Sequence, residues 1–399
     1  MGADGRYARN ARHALRGGLL LVCLSLAAVA SSAAEATFKP SDDATVLERL
    51  PAASRLAELA PLRQAVQTHP ERLRPALKLA RAYIDLSRAR ADPRYLGYAE
   101  ATLAPWPDGP AAVTVLRATV AQSRHEFEHA LKLLDDVLAQ EPGNGQARLT
   151  RAIIHQVRGR LDAAAADCRQ LIGHTTTLVF MICYSNVESL SGELDSAYDK
   201  LAQALNDTHK PSATVAVWAR TVLGEMAVRQ GRTAAAARHY KKALEVAPDD
   251  IYLQAAYADL LLDRGDNAAV IRLLSERERQ DVLLLRLALA GKGTPEGERW
   301  ADMLADRFAA AARRGDTTHA REHARFVLDI QNNPDAALQL ARDNWQIQKE
   351  PADSRILLRT ARAAGQPAAA KPALDWMQAH DFQDKQTVPL AHSLREAMQ

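Results

Sequence analysis

Apolar and polar positions follow one block that recurs along the chain. Its punctuation is Gly or a substitute at His125, Gly159, Gly192, Gly231 and Gly265, at spacings of 34, 33, 39 and 34 residues. Five residues after each comes a small or branched apolar residue: Ala130, Ala164, Ala197, Ala236 and Val270. Four further on stands a larger one or a cysteine: Leu134, Cys168, Leu201, Tyr240 and Leu274. Pro142 and Pro248 close two of the blocks. A period of this length predicts stacked pairs of antiparallel helices. A lone hairpin cannot cover its apolar face, so each is stabilised by burial against its neighbours.

Residue chemistry agrees with that assignment. Gly224 and Ala236 are small where two helices must cross closely. Gly231 suits a helix end that needs a left-handed backbone, and Pro248, lacking an N–H, stops the second helix. Tyr240 and Leu244 are expected to fill the wedge between hairpins. The flanks keep the rhythm less strictly. A single helix is expected near 60–70, a hairpin over 75–107, and further hairpins over 281–313, 318–350 and 352–380. Arg277 and Glu278 replace apolar residues, and the run 291–295 reads as a loose turn or hinge. The expected organisation is a leader over 1–34 and a linker over 35–57. A repeat array follows over 58–279, clear from 111, then degenerate hairpins over 280–380 and a tail or capping helix over 381–399.

The stretch from Ala216 to Pro248 resembles the tetratricopeptide repeat. Leu223-Gly224, Ala227, Gly231, Ala236, Tyr240, Ala243-Leu244 and Pro248 fall at that family's positions. The resemblance implies an all-α, right-handed superhelical solenoid of antiparallel helix hairpins, in an exported protein of bacterial type. It also implies a concave groove, lined by first helices, that holds extended or helical peptides. Carried over residue by residue, that wall comprises Trp218, Thr221, Glu225 and Arg229, then Tyr252, Ala255, Asp259 and Asp263. Val179, Ile182, Asn186 and Ser189 come from the preceding repeat. The carboxylate clamp of some members pairs Lys with Asn. Only Asn186 stands in such a place, so that binding mode is not implied.

Composition changes the picture little. Aromatics are 5% of residues and straight-chain helix formers dominate, which excludes a strand-rich fold. The N-terminus changes it more. Arg6, Arg9, Arg12 and Arg16 precede an apolar run from Leu19 to Ala30 and then small residues, the order of a secretory signal peptide. Cleavage is expected after Ala34, with Ala30 and Ala36 as neighbouring options. The run is shorter than the roughly 20 residues of a membrane span, and Val22 before Cys23 argues against lipidation, so no integral membrane segment is expected after cleavage. Removing 1–34 takes away four Arg and one Asp, leaving 51 − 4 = 47 basic against 48 − 1 = 47 acidic side chains. A balanced chain gives no footprint for nucleic acid. Periplasmic or secreted localisation follows as the expectation.

Candidate chemistry is sparse. His125-Glu126-Phe127-Glu128-His129 matches a zinc-peptidase string, yet His125 falls in a repeat turn and no third ligand presents itself. His319 and His323 share a helical spacing without further ligands. Cys168 and Cys183 belong to helices expected to pack together. They form either a disulfide, as export would favour, or a buried thiol pair. The remaining signals are surfaces. Trp218 and Tyr252 either anchor a partner or pack the array, with Glu225, Arg229, Asp259 and Asp263 beside them. The rows Arg355, Arg359, Arg362 and Arg74, Lys78, Arg81 either face solvent or grip carboxylates. These readings describe a non-catalytic scaffold or adaptor of the cell envelope that binds a protein or peptide and needs no cofactor. The alternatives are a dedicated accessory subunit of an exported enzyme or transporter and, remotely, a zinc hydrolase.

Overall fold

The hairpins continue without a break to the C-terminus. The computed structural model describes residues 42, 59–316 and 318–399, and every regular element among them is helical. The expected leader and, apart from Asp42, the linker lie outside the described residues. Helix α1 (Ala60–Thr68) leads into α2/α3 (Leu73–Arg90, Arg94–Leu103), α4/α5 (Ala111–Ser123, Phe127–Gln140) and α6/α7 (Gly145–Val157, Leu161–Arg169). Then come α8/α9 (Thr177–Glu188, Leu194–Asp207), α10/α11 (Ala213–Arg229, Thr233–Leu244) and α12/α13 (Ile251–Asp263, Asn267–Leu274). The later hairpins are α14/α15 (Asp281–Ala290, Pro295–Arg313) and α16/α17 (Ala320–Asp329, Pro334–Ile347). Helix α18 (Pro351–Ala363) pairs with a short 3-10 turn (Pro367–Ala370) and α19 (Lys371–Ala379), and α20 (Thr387–Glu396) packs on α18. Each first helix touches both its own second helix and the next first helix, which makes a solenoid. No helix of the described residues is long and apolar enough to cross a membrane.

Local chemistry starts and stops these helices. Asn144, Thr176, Ser212 and Asp250 accept from the backbone N–H three residues on, capping α6, α8, α10 and α12. Each such cap stabilises by about 1 kcal/mol. Gly231 ends α10 with φ of 72°, and His125 takes the same left-handed conformation, φ 61°, without being glycine. The close crossing expected at Gly224 is made by Tyr240: a Cβ there would lie 2.3 Å from the Tyr240 ring, so glycine is needed to let the tyrosine cross the helix. The run 291–295 is also not loose. Gly291 lies against Gly297, and the Thr294 hydroxyl donates to the Gly291 carbonyl at 2.7 Å and accepts from the Gly297 N–H. Two glycines in contact draw the helix ends together. The charged pair that replaces apolar residues there ties hairpins together: Arg277 reaches Asp249, and Glu278 accepts from Trp300 Nε1 and Arg299.

The solenoid coils tightly enough to meet itself. Ile347 packs on the core of α4–α6, and one apolar cluster joins Leu161, Cys168 and Leu190 to Trp345, Leu357, Trp376, Phe382 and Leu394. Cys168 and Cys183 are disulfide-bonded within that cluster, their Cα atoms 5.7 Å apart. Burying each large side chain contributes roughly 1.5–3 kcal/mol, so this seam is a continuous core, not a surface contact.

Candidate partner-binding surface

The inter-helix turns of successive repeats form a row, and the last third of the chain lies along it. His125 Nδ1 is 3.3 Å from Gln348 Nε2. The Lys349 N–H donates to the Val157 carbonyl at 2.7 Å, Arg158 donates to the carbonyls of Gln346 and Ile347, and Trp376 Nε1 donates to the Gly159 carbonyl. Asp381 abuts Gly192, Gln383 accepts from the Leu194 N–H, and the Lys385 N–H donates to the Arg229 carbonyl at 2.8 Å. Three turn glycines, Gly159, Gly192 and Gly231, therefore serve twice. They permit the turn, and a Cβ at each would press on the returning segment.

This return engages the C-terminal ends of the first-helix wall. Arg229 is buried and donates to the Ser189 carbonyl at 2.5 Å and hydroxyl at 2.6 Å; burial pulls its pKa down to about 10, against the opposing charges of Asp384 and Glu225. Burial alone would raise the pKa of Asp259, but Arg286 at 2.7 Å and Arg325 at 2.6 Å hold it well below the usual carboxylate value. Asp263 pairs with Arg355 at 2.8 Å, and Arg359 pairs with Asp329 at 2.6 Å. Wall residues Ile182, Ser189, Thr221 and Ala255 are buried in the array. The structure thus brings Asp263 and Arg355 together from what the sequence presents as two separate surfaces. Arg362 is exposed, beside a cleft that Arg355, Arg359, Gln386 and Ser393 also line.

The wall between α10 and α12 remains open to solvent. Trp218 is half-buried against the core of α8–α10. Tyr252 is 56% exposed, and its hydroxyl donates to the Glu225 carboxylate. Glu225 is half-buried. Burial, and then the charge of Glu350, push the Glu225 pKa up to about 7, while the Tyr252 hydrogen bond, Arg229 and Arg321 oppose the shift. The charge of Glu225, with burial and Glu350, raises the Tyr252 phenol well above its ordinary value.

The sequence reading missed the charges that the C-terminal hairpins bring inward. Arg321 pairs with Glu350 at 2.9 Å and with Asp353 at 3.3 Å. Asp353 caps α18 by accepting from the Glu350 N–H, and also accepts from Asn344. Its burial, with the charge of Glu350, raises its pKa to about 6 against Arg321. The available signal was Arg286, a lone charge inside the apolar run 282–290, which announces a buried partner. The zinc string does not assemble. His125 sits in the turn before α5, stacked on Phe127, whereas His129 lies exposed on the helix. His323 stacks on Phe308 with ring centroids 4.4 Å apart.

No family model matches this chain, and no curated protein matches it in sequence. Solved helical-repeat structures do match. Yeast Tom70 is similar at 11% identity and a TM-score of 0.39, covering 84% of each chain. Human IFIT1, solved as a dimer with PPP-AAAA, is similar at 14% identity and a TM-score of 0.43, covering 80% of this chain and 85% of that one. Cut9 of an APC/C hetero-tetramer is similar at 13% identity and a TM-score of 0.41 over 77% of this chain, which spans only 52% of that one.

Proposed function

We propose that the chain is a non-catalytic scaffold of the cell envelope, holding a segment of a protein partner against the open part of its first-helix wall. The observation that carries this reading is the Glu225–Tyr252 pair. It stays open on a wall whose other charges, Arg229, Asp259 and Asp263, are engaged by the chain itself. Exposed aromatic anchors dominate interface energies, and Trp218 lies on the preceding first helix. A helical solenoid hosts many functions, so the wall rather than the fold supports the reading. The envelope location rests on the signal-like residues 1–34. N-terminal sequencing is expected to start near Glu35, and an intact Met1 end would contradict it. An accessory subunit of an exported enzyme or transporter would use the same wall for one dedicated partner.

The test is the double change Trp218→Ala and Tyr252→Ala, followed by partner recovery from the envelope. Losing two anchors costs several kcal/mol, enough to lose a micromolar contact. Unchanged recovery by a double variant that keeps its circular dichroism spectrum would move the site elsewhere, to the cleft beside the exposed Arg362.

A further inference from the structure

The carboxylates of the wall differ in one respect. Asp259 and Asp263 each hold an arginine within 2.8 Å, while Glu225 has no cationic partner within 4.0 Å among the described residues and accepts only from Tyr252. The two arginines near enough to influence it are occupied. Arg229 donates to Ser189, and Arg321 pairs with Glu350 and Asp353. The opening therefore presents an exposed tyrosine beside a carboxyl group that has no cationic partner of its own, a group that an incoming cation would hold ionised. A cation resting on that ring would meet both the ring quadrupole and the carboxylate. An anion would be repelled by an ionised Glu225, and an apolar group would use the ring alone and leave the carboxyl without a cation.

Resting on the partner-binding reading above, we infer that this surface recognises a lysine or arginine side chain of the partner's segment, seated over Tyr252 and bonded to Glu225. A side chain is favoured over a free amine because Trp218 and the α8 face extend the wall along the solenoid, which only a chain-borne cation can use. Tyr252→Phe keeps the aromatic face and Glu225→Gln keeps the shape of the carboxylate. The two variants therefore separate ring, charge and fold.

The experiment selects randomised decapeptides displayed on phage against the full exported chain. The selected peptides are expected to carry Lys or Arg at one shared position. Changing it to Met should weaken binding at least 10-fold to the wild type and less than 2-fold to Glu225→Gln. Tyr252→Phe should bind within about 3-fold of wild type, whereas Tyr252→Ala should lose 10-fold or more. Butylamine at millimolar concentration should not compete; displacement by it would assign the site to free amines and overturn the proposal. Selected peptides without a shared basic residue would overturn the cation while leaving the segment-binding reading intact. Failure to enrich any peptide would overturn both, as would equal binding of the selected peptides to a folded Trp218→Ala/Tyr252→Ala variant.

Discussion

Replacing Gly224 by alanine should destabilise the protein, although the same change inside most helices does the opposite. In an open helical position, Gly→Ala gains about 0.5–1 kcal/mol because alanine loses less backbone freedom on folding. Gly97 in α3 is such a position, exposed and with no atom within 4 Å of an added Cβ. At Gly224 the added Cβ would stand 2.3 Å from Tyr240 Cε1 and 2.7 Å from Cδ1. The ring has nowhere to swing, because Tyr240 is 2% exposed and packs within a core that includes Ala227, Ala236 and Tyr257. Overpacking a full core costs about 1–3 kcal/mol, so the net effect at Gly224 is a loss of about 1–2 kcal/mol, set against a gain at Gly97. Urea midpoints followed by far-ultraviolet circular dichroism, with both variants measured beside the wild type, give the comparison. In a Tyr240→Leu background the cost of Gly224→Ala should fall by about 1 kcal/mol or more. A neutral or stabilising Gly224→Ala, or a cost unchanged by Tyr240→Leu, would refute the crossing geometry.

Three other expectations concern the seam and the wall. Trp376→Ala removes a buried ring and its bond to the Gly159 carbonyl; a loss of about 3–5 kcal/mol is expected, with faster hydrogen exchange at Gly159 and Lys349, and unchanged exchange there would contradict the docking of the last third. Reducing Cys168–Cys183, which closes a loop of sequence separation 15, should cost about 3 kcal/mol, read as a shift in urea midpoint with and without reductant. The pH dependence follows from Glu225, faced by Tyr240, Tyr252, Arg229, Arg321 and Glu350. Its folded pKa of about 7 lies above the ordinary glutamate value of 4.5, so the folded state holds a proton that the unfolded state releases, and stability falls as pH rises between those values. Glu225→Gln should flatten that part of the profile, and an unaltered profile would show that Glu225 does not titrate there.

What could be read from the residues is what local geometry imposes on residue type. Gly231 marks a left-handed turn, and Tyr240 and Leu274 mark apolar positions that every hairpin needs; both kinds of signal recur at the repeat period. The self-docking was not legible, for two reasons. Its contacts span up to 223 positions, from His125 to Gln348, with no repeat to announce them. Two are also made by the backbone groups of Lys349 and Lys385, residues whose side chains read as solvated surface. The wall was legible by position but not by state. Asp263 and Arg355 look alike in sequence to Glu225, a charge on a helix face, and only the coil reveals that the first two satisfy each other.

The central claim is that the open wall around Tyr252 holds a protein partner. Site-specific photocrosslinking in intact cells tests it most directly, with benzoylphenylalanine in place of Tyr252 and, as control, in place of Ile172, which is 65% exposed after α7. An adduct of a single defined protein is expected from position 252, absent from position 172 and lost when Trp218→Ala is added. No adduct at 252, or the same protein captured equally from 172, would contradict it.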